Sequence, residues 1–82
     1  MSWTYAGRDG DTSAEFRTGV IDVALERVDP GGTFHVVSDA LAMNWIDSNT
    51  TDIDKAKRFA LLVVEDTLRR ALYDVKAAKV SP

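Results

Sequence analysis

Ser13-Ala14-Glu15-Phe16-Arg17-Thr18-Gly19-Val20-Ile21-Asp22-Val23-Ala24-Leu25-Glu26-Arg27-Val28 is the stretch whose reading decides the fold. Phe16, Val20, Ile21, Ala24, Leu25 and Val28 fall at helical spacing, with charged residues on the other side. Thr12 or Ser13 can serve as the N-cap, and Asp29-Pro30-Gly31-Gly32 is a firm stop. The spacing predicts a helix near 13–27, and with it an all-α protein.

On its C-terminal side, Thr33-Phe34-His35-Val36-Val37 is short, β-branched and aromatic, so a short extended segment is predicted near 33–37. A second reading makes it the first turn of the following helix. Ser38-Asp39 can then cap a short helix near 39–48, with Leu41, Trp45 and Ile46 at helical spacing and Trp45 in the core. A polar loop, Asn44 to Thr51, closes it. From Thr51 or Asp52 onward no Gly or Pro interrupts residues 52–80. Asp52 and Asp54 suit the positive end of a helix dipole, and Lys76 and Lys79 the negative end. A long C-terminal helix is predicted over about 52–79, ~42 Å in length.

That helix divides in two. Phe59-Ala60-Leu61-Leu62-Val63-Val64 is apolar on every side and predicts a stretch surrounded by other elements. Leu68, Ala71, Leu72 and Val75 then form a single stripe. One medium and one short helix cannot both enclose the first part and cover the second, so a neighbouring chain is expected there. N-terminal to everything, Met1-Ser2-Trp3-Thr4-Tyr5-Ala6-Gly7-Arg8-Asp9-Gly10-Asp11 reads as an irregular arm. Trp3 and Tyr5 are its means of docking, either on its own bundle or on a partner.

Eighty-two residues make one domain, an arm over 1–11 and a helical bundle over 12–82. A chain this short has a modest core and commonly needs reinforcement. Cysteine is absent, which excludes disulfides and fits a reducing compartment, and His35 alone makes a structural zinc implausible. Other protein chains remain as the expected support. No apolar run reaches the roughly 18 residues of a membrane helix, and no secretory signal is visible. Net charge is −3, against general nucleic-acid affinity, but it is unevenly spread. Residues 1–54 carry three arginines against ten carboxylates, net −7, and residues 55–82 carry seven cations against three carboxylates, net +4. Such polarity can be satisfied within one fold or between copies.

Chemistry-bearing patterns are sparse, and no catalytic, cofactor or metal residue is assigned; the protein is expected not to be an enzyme. His35 has no nucleophile or acidic partner placed to make a triad, so a structural role is expected. Asp47-Ser48-Asn49-Thr50-Thr51-Asp52 begins like a calcium loop, but Asp52 stands where glycine is needed and Arg58 where a bidentate glutamate is needed. Gly7-Arg8-Asp9-Gly10 lacks the lysine of a phosphate loop and reads as a turn. Arg69 and Arg70 could meet phosphates; with Glu65, Asp66 and Asp74 one turn away, a solvated, salt-bridged face is expected. Neither later helix has the basic reading face of a helix-turn-helix protein.

The order of features adds a resemblance. Trp3-Thr4-Tyr5-Ala6-Gly7, Ser13, Phe16-Arg17, Ile21-Asp22, Ser38-Asp39-Ala40-Leu41, Ile46 and the helix from Asp52 to about Val75 resemble the tailed-phage head–tail connector family, also called adaptor or head-completion proteins. Ile21-Asp22-Val23 stands where that family has Gly-Asp-Thr, and the segment after the long helix is short. The resemblance implies a virion protein of the neck, made in the host cytoplasm. It would form a ring of twelvefold symmetry between the portal protein and a tail or stopper protein. DNA would be met only as the passing content of a channel. The candidate assembly interface is then Trp3, Tyr5, Arg17, Leu68, Arg69, Arg70, Leu72, Tyr73 and Lys76. A small helical inhibitor or adaptor binding one protein partner through the same exposed stripe is the alternative.

Overall fold

Residues 13–28 form two strands and a turn, not a helix, and the all-α bundle expected from their spacing is overturned. The computed structural model describes residues 3–6, 13–29 and 31–81. In order it has β1 (Trp3–Ala6), β2 (Ser13–Arg17), β3 (Asp22–Glu26), β4 (His35–Ser38), β5 (Met43–Asp47) and α1 (Ile53–Val80). The strands make one antiparallel sheet in the order β1-β2-β3-β4-β5, each pairing with its neighbour in sequence. Of the arm expected over 1–11, residues 3–6 are an edge strand. The remainder, with the Gly7–Gly10 turn and the Thr12 cap, lies outside the described residues.

The reason for the first correction is in the residues themselves. Ser13-Ala14-Glu15-Phe16-Arg17 and Asp22-Val23-Ala24-Leu25-Glu26 each alternate, and alternation places Ala14 and Phe16 opposite Leu25 and Val23 on one face. Between them Thr18 builds the turn. Its Oγ1 accepts from the backbone N–H groups of Val20 (3.1 Å) and Ile21 (3.0 Å), and its N–H donates to the Ile21 carbonyl at 2.9 Å. Val20 and Val28, core positions in a helix, are exposed to solvent. The stop expected at Asp29-Pro30-Gly31-Gly32 therefore ends no helix, and a turn follows β3. The Gly32 N–H donates to the Asp29 carbonyl at 2.9 Å, and Gly31 takes φ +102°, a conformation that side-chain-bearing residues rarely adopt.

The extended segment expected near 33–37 is β4. The helix expected near 39–48 is instead a turn over 39–42 followed by β5. Ser38 caps no helix; its Oγ, buried, accepts from the Leu41 N–H at 3.3 Å and tightens the turn. The register slips by one residue between Val36↔Ile46 and Ser38↔Met43, and the extra residue lies on β5, where Trp45 has φ +55°. This bulge lets both Met43 and Ile46 face the core in place of strict alternation. Trp45, expected in the core, is turned to the other face and is 43% exposed.

Every buried apolar side chain among the described residues lies between one face of the sheet and the first half of α1. Val23, Leu25 and Val36 from the sheet and Phe34 just before β4 are fully enclosed. Each is worth about 1.5–3 kcal/mol in apolar area removed from water. From the helix come Ala56, Ala60 and Val64, one turn apart, with Ile53, Phe59 and Val63 beside them. Ala56 and Ala60 have no exposed surface, so the helix backbone sits close to the sheet. The stretch Phe59–Val64, expected to be surrounded, is covered on one side only. A single sheet can shield one stripe of a helix, and Leu62 remains 65% exposed.

The long helix itself is where the sequence places it. Asp52 is the N-cap, accepting from the N–H groups of Asp54 (2.8 Å) and Lys55 (3.2 Å). It is fastened to the sheet just upstream, where Phe34 N–H donates to the Thr50 carbonyl (3.0 Å) and both Ser48 N–H (2.9 Å) and Ser48 Oγ (2.7 Å) donate to the Phe34 carbonyl. Beyond Thr67 every described helical residue is exposed. The protein measures 53 × 24 × 18 Å with a radius of gyration of 14.6 Å. A compact chain of this length has about 12 Å. The excess is the free half of α1, a stem projecting from the sheet.

Candidate functional site

The stem begins where the sheet ends. At ~1.5 Å per residue, Leu68 to Val80 extends it by about 20 Å. Its sequence keeps the helix intact without help from a core: Thr67 Oγ1 donates to the Val63 carbonyl at 2.8 Å, Arg69 pairs with Glu65 at 2.7 Å, and Arg70 pairs with Asp66 at 3.1 Å. These i,i+4 pairs are solvent-exposed and contribute a few tenths of a kcal/mol each. They leave Leu68, Leu72, Tyr73 and Val75 about half exposed or more, Tyr73 at 74%. Leu68, Ala71, Leu72 and Val75 continue, along the axis, the side on which Val64 meets the sheet.

Six of the expected interface residues, Leu68, Arg69, Arg70, Leu72, Tyr73 and Lys76, therefore lie together on one exposed rod. Arg69 and Arg70 form the salt-bridged face that the spacing of the carboxylates implies. Trp3, Tyr5 and Arg17 are elsewhere. Trp3 and Tyr5 point to the helix side of the sheet edge; the Trp3 ring lies 5.6 Å from Phe16, tilted by 47°. Lys57, in the second turn of α1, reaches over both: its Nζ donates to the Tyr5 hydroxyl and stands 4.4 Å from the Tyr5 ring centroid and 5.9 Å from that of Trp3. Lys57 precedes Leu68 by three helical turns, so this clamp is about 16 Å from the start of the stem. Trp3 and Tyr5 serve the domain's own edge strand. Arg17, at the end of β2, is paired with Glu15 and exposed on the opposite face of the sheet.

That opposite face carries the features that sequence reasoning missed. Ser13, Glu26, His35 and Asp47 form one cross-strand row, with Glu15, Ala24 and Val37 in the next. His35 and Trp45 stack at 4.4 Å with 11° between the planes. His35 Nε2 is 3.8 Å from Asp47 Oδ2, beyond hydrogen-bond reach, and its buried Nδ1 has no hydrogen-bond partner among the described residues. The Asp47 carboxyl is held below its usual range, chiefly by the backbone N–H of Asn49 at 2.8 Å; partial burial opposes this, and Thr33 and His35 reinforce it. Asn49 has φ +60°, so the supposed calcium loop is a tight Asx turn leading to the Asp52 cap. Among the described residues no cavity is present and no three His, Cys, Asp or Glu side chains are grouped to hold a metal ion. No described helix is long and apolar enough to cross a membrane. The signal for the stack was available only as alternation in His35-Val36-Val37-Ser38; the bulge that turns Trp45 outward has no comparable mark.

Compared with known proteins, the chain matches no family model, no curated protein and no solved structure.

Proposed function

We propose that this chain is a non-catalytic assembly protein that works by binding other protein chains along the free half of α1. One observation carries the reading: a helix with an apolar side runs about 20 Å past the last residue its own sheet can cover. Solvent-facing helices lacking a partner are ordinarily polar all round, whereas this one keeps Leu68, Leu72 and Val75 in register with its buried stripe. The test is the mass of the native assembly, compared between the natural chain and a Leu68→Asp, Leu72→Asp double variant. A complex larger than the 9.0 kDa chain, lost in the variant, is the expected result. An unchanged mass distribution would remove the reading.

A head–tail connector role is the second reading, with a ring of copies meeting the portal and a tail or stopper protein in the virion neck. It is favoured by the opposite charge of residues 1–54 and 55–82, which suits contact between the sheet of one copy and the stem of the next. The all-α bundle expected from the residue spacing plays no part in it. Electron microscopy of the purified protein with a portal protein tests it. Rings are expected, and a protein that stays monomeric and is missing from particles would end it.

A further inference from the structure

From Leu61 onward, one set of apolar positions in α1 is spaced more regularly than an amphipathic stripe requires. Leu61, Val64, Leu68, Ala71, Val75 and Ala78 follow one another at intervals of 3, 4, 3, 4 and 3. That is a heptad seam, with Leu61, Leu68 and Val75 at a and Val64, Ala71 and Ala78 at d. Leu72 flanks it at e, together with Glu65 and Lys79. Large residues occupy a and, past Val64, alanine occupies d.

From this pattern we propose that the stem pairs with the stem of a second copy of the same chain, antiparallel and centred near Leu72–Tyr73. The inference rests on the first reading above, that the stem binds protein. Three observations bear on this occupant and its direction. First, in antiparallel pairing each a residue packs against a d residue of the partner helix. At this register Leu68 meets Ala78 of the second copy and Val75 meets its Ala71, so each layer sets a large side chain against a small one. Parallel pairing would stack leucine on leucine and alanine on alanine, leaving layers of unequal width. Second, the charges run from acidic to basic along the stem: Glu65 and Asp66 at its base, Lys76 and Lys79 at its tip. Antiparallel pairing brings Glu65, already paired with Arg69 in its own chain, opposite Lys79 of the second copy; parallel pairing leaves Glu65 opposite Ala60 and sets Lys79 against Asp74 instead. Third, the lengths agree. At this register the tip of one stem, Val80, is level with Asp66 of the other, just beyond Val64, the last residue buried under its own sheet. The overlap uses all of the free helix, and the two sheets lie at opposite ends. The contact is isologous and closes on itself as a dimer.

Four layers make a short seam, about two heptads, so association in the micromolar range is expected rather than tighter. Sedimentation of the full chain from about 1 to 500 µM should therefore show a reversible shift from 9.0 kDa to about twice that mass. Glu65→Lys should weaken the dimer by about tenfold, and adding Lys79→Glu to it should restore the affinity. Because the chain has no cysteine, direction can be read by cross-linking. A mixture of Glu65→Cys and Lys79→Cys chains should form a covalent dimer on mild oxidation, and Glu65→Cys alone should not. All these positions are exposed in the single chain, so each variant should keep the natural thermal transition. A monomer at every concentration, a larger closed assembly, or cross-linking of Glu65→Cys with itself overturns the proposal. If the chain is monomeric but its stem takes up a different protein, the dimer fails while the assembly reading stands. If stem variants change neither, both fail.

Discussion

Asp52 holds the junction between sheet and helix with a single carboxylate. Two backbone N–H groups, those of Lys55 and Asp54, donate to it and are the main cause of its pKa lying below the usual aspartate range. A carboxyl with a lower pKa folded than unfolded stabilises the fold fully above its unfolded-state pKa. That contribution is lost as pH falls through the lower, folded-state value. Thermal unfolding of the natural chain should therefore lose stability on acidification through the aspartate range. Asp52→Ala should unfold at a lower temperature at neutral pH and show a shallower acid dependence, with Asp52→Asn between the two at neutral pH. Equal slopes for the natural chain and Asp52→Ala would show that the cap does not carry the effect. Asp47 is shifted in the same direction by Asn49, so the Asp52→Ala profile should be shallower, not flat.

Among the elements, β1 is the one most dependent on a distant partner. It is a four-residue edge strand with β2 on one side only, and its rings are gripped by Lys57 from the helix. A cation held over aromatic rings is worth about 0.5–1 kcal/mol at partly exposed sites. Lys57→Ala should accelerate amide exchange in β1 by several-fold while leaving β3 and β4 protected to the global limit, as read by hydrogen exchange. Uniform loss across the sheet would mean that Lys57 supports the whole fold rather than its edge. This clamp could not be read from sequence, since Lys57 and Tyr5 are 52 residues apart. α1 could, because Asp52 caps it and nothing from 52 to 80 breaks it, and the stem residues Leu68 to Lys76 came with it. The strands β2 and β3 were hidden by coincidence. Phe16, Val20, Ile21, Ala24, Leu25 and Val28 satisfy a helical repeat, while Ala14, Phe16, Val23 and Leu25 satisfy a two-residue one. Gly19 and the β-branched run Val20, Ile21 and Val23 were the marks favouring strands. At β5 the bulge broke the alternation by which the strand would have been recognised.

At the scale of the whole molecule, the cohesive part and the projecting part share one helix but little energy. No described residue from Leu68 to Val80 is buried, so a chain ending after Thr67 should keep a cooperative thermal transition within a few degrees of the natural one. Scattering should show its radius of gyration falling from 14.6 Å towards the roughly 12 Å of a compact chain. Collapse of the transition would show that the stem stabilises the domain to which it is attached. The strand order β1-β2-β3-β4-β5 has its own consequence, for time rather than for strength. Each sheet contact closes a short loop between neighbours in the chain, a low contact order that places folding towards the fast end for sheet proteins. On a ribosome the hairpins can zip in the order in which they are made. Lys57 is made after all of them, so the first strand to be synthesised is the last to be secured.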